Sequence, residues 1–207
     1  MYGKPALDRV ANWLIFLILI LAFLLVKDVL IKRVEAPRTS IERDIMDYSS
    51  AVQKDPENAV AHAGLGAAYM NAGIFSAAAG EFAAAVKIAP AKAEYRYGLG
   101  IALARLGRYT EALKELAVAA KRSPKWEAPS FESGRIYLQL KNYDKAITAF
   151  ETSLRLVPSD ADAHYNIGRV YELKGKRSEA LNHYKKTLEY VPDYEIAVKA
   201  VKRLTEK

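Results

Sequence analysis

The chain has 207 residues, enough for one ordinary domain or two small ones. It contains no cysteine, which excludes disulfide frameworks, cysteine-ligated zinc, a cysteine nucleophile and lipids attached through sulfur. Its 51% hydrophobic and 27% charged residues exclude a disordered composition, and its formal charge of +7 is mild.

The apolar residues are concentrated at the amino terminus. Fourteen residues from Trp13 to Val26 carry no polar interruption, and the run from Val10 contains only Asn12. As a helix this stretch is about 26 Å long, slightly short of a hydrocarbon core of about 30 Å. Lys27 can extend its ammonium to the interface, and Val29, Leu30 and Ile31 continue the apolar surface. Trp13 stands where an interfacial aromatic is expected. The pattern predicts a transmembrane helix over about Val10–Ile31, within an amino-terminal segment 1–33. A cleaved signal peptide would need a small-x-small site close behind the apolar run, and Lys27 and Asp28 stand there instead. Lys4 and Arg9 precede the span; Lys27, Lys32, Arg33, Arg38 and Arg43 follow it. The positive-inside rule therefore favours a single-pass protein with its carboxy-terminal part in the cytoplasm. An inward amino-terminal tail with the rest exported is the competing topology. A linker of only five residues, 34–38, would hold the rest of the chain close to the membrane surface.

Residues 39–207 repeat with a period of 34. Pro56, Pro90, Pro124, Pro158 and Pro192 are evenly spaced, as are Gly66, Gly100, Gly134 and Gly168, and Ala78, Ala112, Ala146 and Ala180. Three columns in one register mark a helical-hairpin solenoid. A glycine inside a helix costs roughly 1 kcal/mol against alanine, so the glycine column implies a neighbouring helix too close for a Cβ. Gly73, Gly107 and Gly175 suit the turn within each unit, and each proline ends the second helix. A single unit cannot bury its apolar face alone, so stability must come from stacking.

These columns resemble the tetratricopeptide repeat (TPR) family. Four units fit, at 59–92, 93–126, 127–160 and 161–194. Tyr69, Leu103, Tyr137 and Tyr171 match the large residue of the first helix, and Phe82, Leu116, Phe150 and Tyr184 the bulky residue of the second. Ala85, Ala119, Ser153 and Thr187 match the small position that comes after it. The tryptophan-like position instead holds His62, Arg96, Ser130 and His164, and unit three has Ser133 where the others have leucine or isoleucine and Lys141 for the turn glycine. The fold expected is thus all-α: one transmembrane helix followed by a TPR α-solenoid, with a right-handed superhelix implied by the resemblance.

Both ends of the array read as caps. Residues 39–58 fit half a unit, with Tyr48 and Ala51 in register and Asp44 at the alanine position. Thr39 and Glu42 form a capping-box pattern. Residues 195–207 predict an amphipathic helix, apolar at Ile196, Ala197, Ala200, Val201 and Leu204.

Catalytic and cofactor motifs are absent from the sequence, so no enzyme, metal or cofactor is expected. His62 and His164 lie three units apart, too far to share a metal, and His183 has no counterpart at its repeat position. The Gly64–Gly66 and Gly98–Gly100 pairs lack the strand that a dinucleotide site requires. Basic residues are interleaved with acids, which argues against nucleic acid.

A protein-binding groove remains. In the family, first helices line a concave face. The matching column is Ala63, Tyr97, Phe131 and Tyr165, beside Ala67, Ile101, Arg135 and Arg169, then Met70, Ala104, Leu138 and Glu172. Tyr97, Ile101, Phe131, Arg135, Leu138, Tyr165 and Arg169 are the candidate site, suited to an extended peptide or an amphipathic helix. Packing against neighbouring units is the competing role of the three aromatics. The cationic clamp by which some TPR domains hold acidic chaperone tails is missing: its positions fall on Ala63, Ala67, Gly98, Ala128 and Glu132, or one unit later on Tyr97, Ile101, Glu132, Asp162 and Asn166. The expected function is a membrane-anchored adaptor that recruits or assembles a protein complex. The alternative is a self-assembling structural protein that forms a homo-oligomeric layer or filament.

Overall fold

The structure is a computed structural model that describes Trp13, residues 17–18 and 20–27, and residues 39–206. The chain divides into two compact units, Met1–Arg43 and Asp44–Lys207. In the first unit, residues 20–27 are helical, and Leu17, Ile18, Phe23, Leu25 and Val26 are exposed. Among the described residues no helix is long and apolar enough to cross a membrane. Most of the predicted span over Val10–Ile31 that flanks this stretch, and the whole linker 34–38, lie outside the described residues.

Helix α1 (Ser40–Lys54) runs from the first unit into the second. Its start is the reciprocal cap expected: the Thr39 amide donates to Glu42 Oε2 at 3.0 Å, and the Glu42 amide to Thr39 Oγ1 at 3.1 Å. Nine helices come after it: α2 (Ala59–Asn71), α3 (Phe75–Ile88), α4 (Ala93–Arg105), α5 (Tyr109–Arg122), α6 (Ala128–Gln139), α7 (Tyr143–Leu156), α8 (Ala161–Leu173), α9 (Arg177–Tyr190) and α10 (Glu195–Thr205). Each packs on the next, and the first helices of adjacent units also touch, as in a stacked array of hairpins.

The sequence columns explain the packing. Ala78, Ala112, Ala146 and Ala180 are fully buried, as are Ala85, Ala119, Ser153 and Thr187. A Cβ on Gly66 would meet the Phe82 ring at 3.1 Å, on Gly100 the Leu116 side chain at 2.9 Å, and on Gly134 and Gly168 the rings of Phe150 and Tyr184 at 2.7 Å. The glycine column is therefore the floor on which the bulky residue of the second helix rests. Two further glycines, which the sequence assigned no packing role, do the same between units. A Cβ on Gly98 would run into Phe82 of the preceding unit, and one on Gly64 into Tyr48.

Three of the four turns within units hold glycine at positive φ: Gly73 at 74°, Gly107 at 76° and Gly175 at 72°. Lys141 takes the same left-handed conformation, at 57°, so the third unit keeps the turn at the cost of Cβ strain. At the far end, α10 buries Ala197 and Ala200 and half-buries Val201 and Leu204, but Ile196 is exposed, contrary to its assignment to the packed side. Helix α10 occupies the register of a first helix, and no second helix lies behind it among the described residues. Val198, at the position that elsewhere reaches the second helix, is accordingly exposed too.

Candidate protein-binding groove

First helices α4, α6 and α8 present the same two helical positions at successive units, 97 and 101, then 131 and 135, then 165 and 169. A cavity of about 410 Å³ opens along them. Tyr97, Ile101, Arg135, Leu138 and Arg169 line it, so five of the seven candidate residues come together. Phe131 and Tyr165 do not line it. Phe131 meets the Phe150 ring edge-on at 5.5 Å, and Tyr165 packs on Tyr184 at 5.6 Å and Tyr194 at 5.3 Å. Tyr97 lines the cavity and also leans on Trp126, ring centroids 4.7 Å apart. All three aromatics are half-buried.

The cavity is cationic. Arg135 Nη1 donates to Glu132 Oε1 at 3.0 Å. Arg169 lies 5.9 Å above the Tyr165 ring and beside Asn166, and among the described residues neither Arg169 nor Arg105 has a carboxylate partner. Ala104, Arg105, Tyr109, Glu132, Ile136, Gln139 and Asn166 complete the walls; of these, Arg105, Tyr109, Ile136 and Gln139 were not anticipated from the sequence. Arg105 and Gln139 share a repeat position four residues beyond Ile101 and Arg135, so helical spacing could have found them. Tyr109 comes from a second helix and carries no groove signal in the repeat.

The tryptophan-like position has its own polar role. His62 Nδ1 faces Glu81 Oε2 at 2.7 Å and its Nε2 faces the Pro56 carbonyl at 3.0 Å. Arg96 repeats this with Glu115 at 2.8 Å and the Pro90 carbonyl at 3.3 Å. His164 donates from Nε2 to the Pro158 carbonyl at 3.1 Å, but its Nδ1 meets His183 Nδ1 at 3.3 Å. His183, without a counterpart in the sequence columns, thus stands where units one and two hold glutamate.

The two histidine arrangements titrate in opposite senses. Burial opposes protonation of His62, but the Glu81 bond, the Pro56 carbonyl and the charges of Glu81 and Glu57 outweigh it and raise its pKa. Burial lowers that of His164, with Lys186 adding to it against the Pro158 carbonyl, Asp160 and Glu189. Burial, then His164 and Lys186, push His183 down to about 4. The unfolded chain binds protons near pH 6.5. Stability from His183 and His164 is therefore present above pH 6.5 and lost as pH falls towards 4, whereas that from His62 is present below 6.5 and lost as pH rises through its raised value. His183→Glu recreates the His62–Glu81 pair. It should relieve the acid-side loss by about 1 kcal/mol, discounted for partial exposure, in melts compared at pH 7.5 and pH 5. Equal slopes for both proteins would refute the assignment.

A helical-hairpin array with a groove along its first helices is the architecture of a protein-interaction scaffold. Tetratricopeptide repeat models match residues 47–93, 68–125 and 161–194, and a TPR repeat model matches residues 134–175. Together they span more than half of the chain, which belongs to the tetratricopeptide repeat family. Solved structures agree. One crystal structure of MamA protein is 30% identical, with 73% of this chain and 84% of that one covered at a TM-score of 0.67. A second MamA structure is 27% identical, with 75% and 96% covered at 0.68. YrrB, described as a TPR protein with an unusual peptide-binding site, is 28% identical, with 78% and 84% covered at 0.67. Among curated proteins no sequence matches.

Proposed function

We propose that the protein is a membrane-anchored adaptor whose groove binds an extended peptide carrying acidic and apolar side chains. The observation that carries this reading is the pairing of chemistries in one cavity. Arg105 and Arg169 lack carboxylate partners among the described residues, and they stand beside Tyr97, Ile101 and Leu138. A peptide carboxylate would supply charge-assisted bonds to these guanidinium groups while apolar side chains cover the walls between them. The peptide-binding site ascribed to YrrB supports a groove of this kind. The anchor rests on the apolar run over Val10–Val26 and on the exposed apolar side chains from Leu17 to Val26. The flanking cations favour a cytoplasmic solenoid.

Arg135→Glu combined with Arg169→Glu should cut partner capture from mild-detergent extracts more than tenfold, most at low salt, because like charges then face the ligand. Both side chains are exposed, so the melting temperature should hardly move. Undiminished capture by a normally folded double variant would remove the groove from the function. Full-length protein should resist alkaline carbonate extraction. Open-ended association in a sedimentation series would favour the self-assembling scaffold instead.

A further inference from the structure

Antiparallel hairpins place every turn within a unit on one edge of the second compact unit and every turn between units on the opposite edge. The two edges differ in charge. Turns within units carry Arg108, Lys141, Lys145, Lys174, Lys176 and Arg177 against Glu111, Asp144 and Glu179. Part of this charge is neutralised: Arg108 bonds Glu111, Lys174 bonds Asp144, and Lys176 pairs with Glu179. Lys141 has no ion pair among the described residues, and Lys145 lies 5.6 Å over the Tyr137 ring. Turns between units, with the helix ends beside them, carry Asp55, Glu57, Glu94, Glu127, Asp160, Asp162, Asp193 and Glu195 against Lys54, Lys87, Lys92, Lys121, Arg122, Lys125 and Arg155, so acids hold a slight excess there.

The cationic edge also exposes one large apolar side chain per unit: Ile74 at 47%, Leu106 at 39%, Leu140 at 47% and Leu173 at 56%. Exposure alone does not select this edge, because Val60, Leu156 and Tyr190 are exposed on the acidic one. The combination with charge does. We infer that the edge formed by the turns within units lies on an anionic lipid surface, with Leu106, Leu140 and Leu173 at the interface and the lysines and arginines among the headgroups.

Three features favour lipid over a protein partner. The apolar side chains are single and separated by a full unit, so they form no continuous patch for a protein to cover. A bilayer interface accepts each one independently, and long cationic stems suit its headgroup layer. Helix α1 runs in the direction of the second helices, so Asp44, the first residue of the second compact unit, stands at this edge. Only this last point rests on the proposed anchor.

The absence of cysteine allows single labels in the full chain. Leu140→Cys and, on the acidic edge, Ser159→Cys would each carry an environment-sensitive fluorophore. The protein would be reconstituted into phosphatidylcholine vesicles with or without phosphatidylglycerol. The label at position 140 should shift to the blue and be quenched by lipid-borne quenchers in anionic vesicles, and much less in neutral ones. The label at position 159 should do neither. Lys141→Glu with Lys145→Glu should abolish the shift while the protein stays in the vesicle fraction. An unshifted label at 140 in protein that resists carbonate extraction overturns this inference and leaves the anchor standing. So does an equal shift at 159, or one indifferent to lipid charge. Extraction by carbonate would instead count against the anchor.

Discussion

Gly134→Leu should lower the stability of the solenoid by about 3 kcal/mol, the upper part of the range for overpacked cores. For an array of this size that is a fall of roughly 6–12 °C in melting temperature. The cause is local. Even a bare Cβ at this position would lie 2.7 Å from Cδ1 and Cε1 of Phe150, a ring with no exposed surface and so no room to swing aside. A leucine would force α6 away from α7 and break the third unit in the middle of the array. Hydrogen exchange should show that unit opening before the others, because each unit depends on its neighbours. Unchanged melting would mean that the two helices can separate freely, against the close contact of Gly134 with the Phe150 ring.

Phe131→Ala should cost about 2–3 kcal/mol, somewhat less than a fully buried phenylalanine, because this residue is only half-buried. It removes the edge-on contact with Phe150 and the packing against the cluster around Ile147 and Ile167. Phe131→Leu should recover much of the loss. The consequence for the groove is practical. Replacing Tyr97, Phe131 and Tyr165 together would test folding before binding, so the arginines are the cleaner probe of function. A Phe131→Ala protein that melts normally but fails to capture its partner would return this residue to the ligand surface.

The sequence displays the fold more openly than the site because the fold repeats. A proline, a glycine and an alanine recurring in one register define helix ends and contacts without any knowledge of the third dimension. Departures from the columns were legible only in part. Lys141 could be seen as an odd residue at a turn, and the structure keeps the left-handed turn there. Gly64 and Gly98 gave no such signal, because their reason lies in a ring of the preceding unit. The His164–His183 contact spans nineteen residues and two helices, and it becomes visible only once the hairpin is closed. The groove falls between these cases. Positions 97, 101, 135, 138 and 169 follow from helical periodicity. The split of the aromatics into one cavity wall and two packing residues depends on the rings nearest to each, which the 34-residue period does not encode.

The ring of Phe82 has a consequence for how such an array can change. It sits between Gly66 of its own unit and Gly98 of the next, so two units share one joint. Removing residues 93–126 would preserve the period and every cap. It would also set Phe82 against Glu132, the residue that holds the place of Gly98 one unit on. The joint would then receive a carboxylate where it needs empty space. The units look like copies, yet their order is fixed by which neighbour each was shaped to meet. Gain or loss of a whole unit therefore requires a compensating change at the seam.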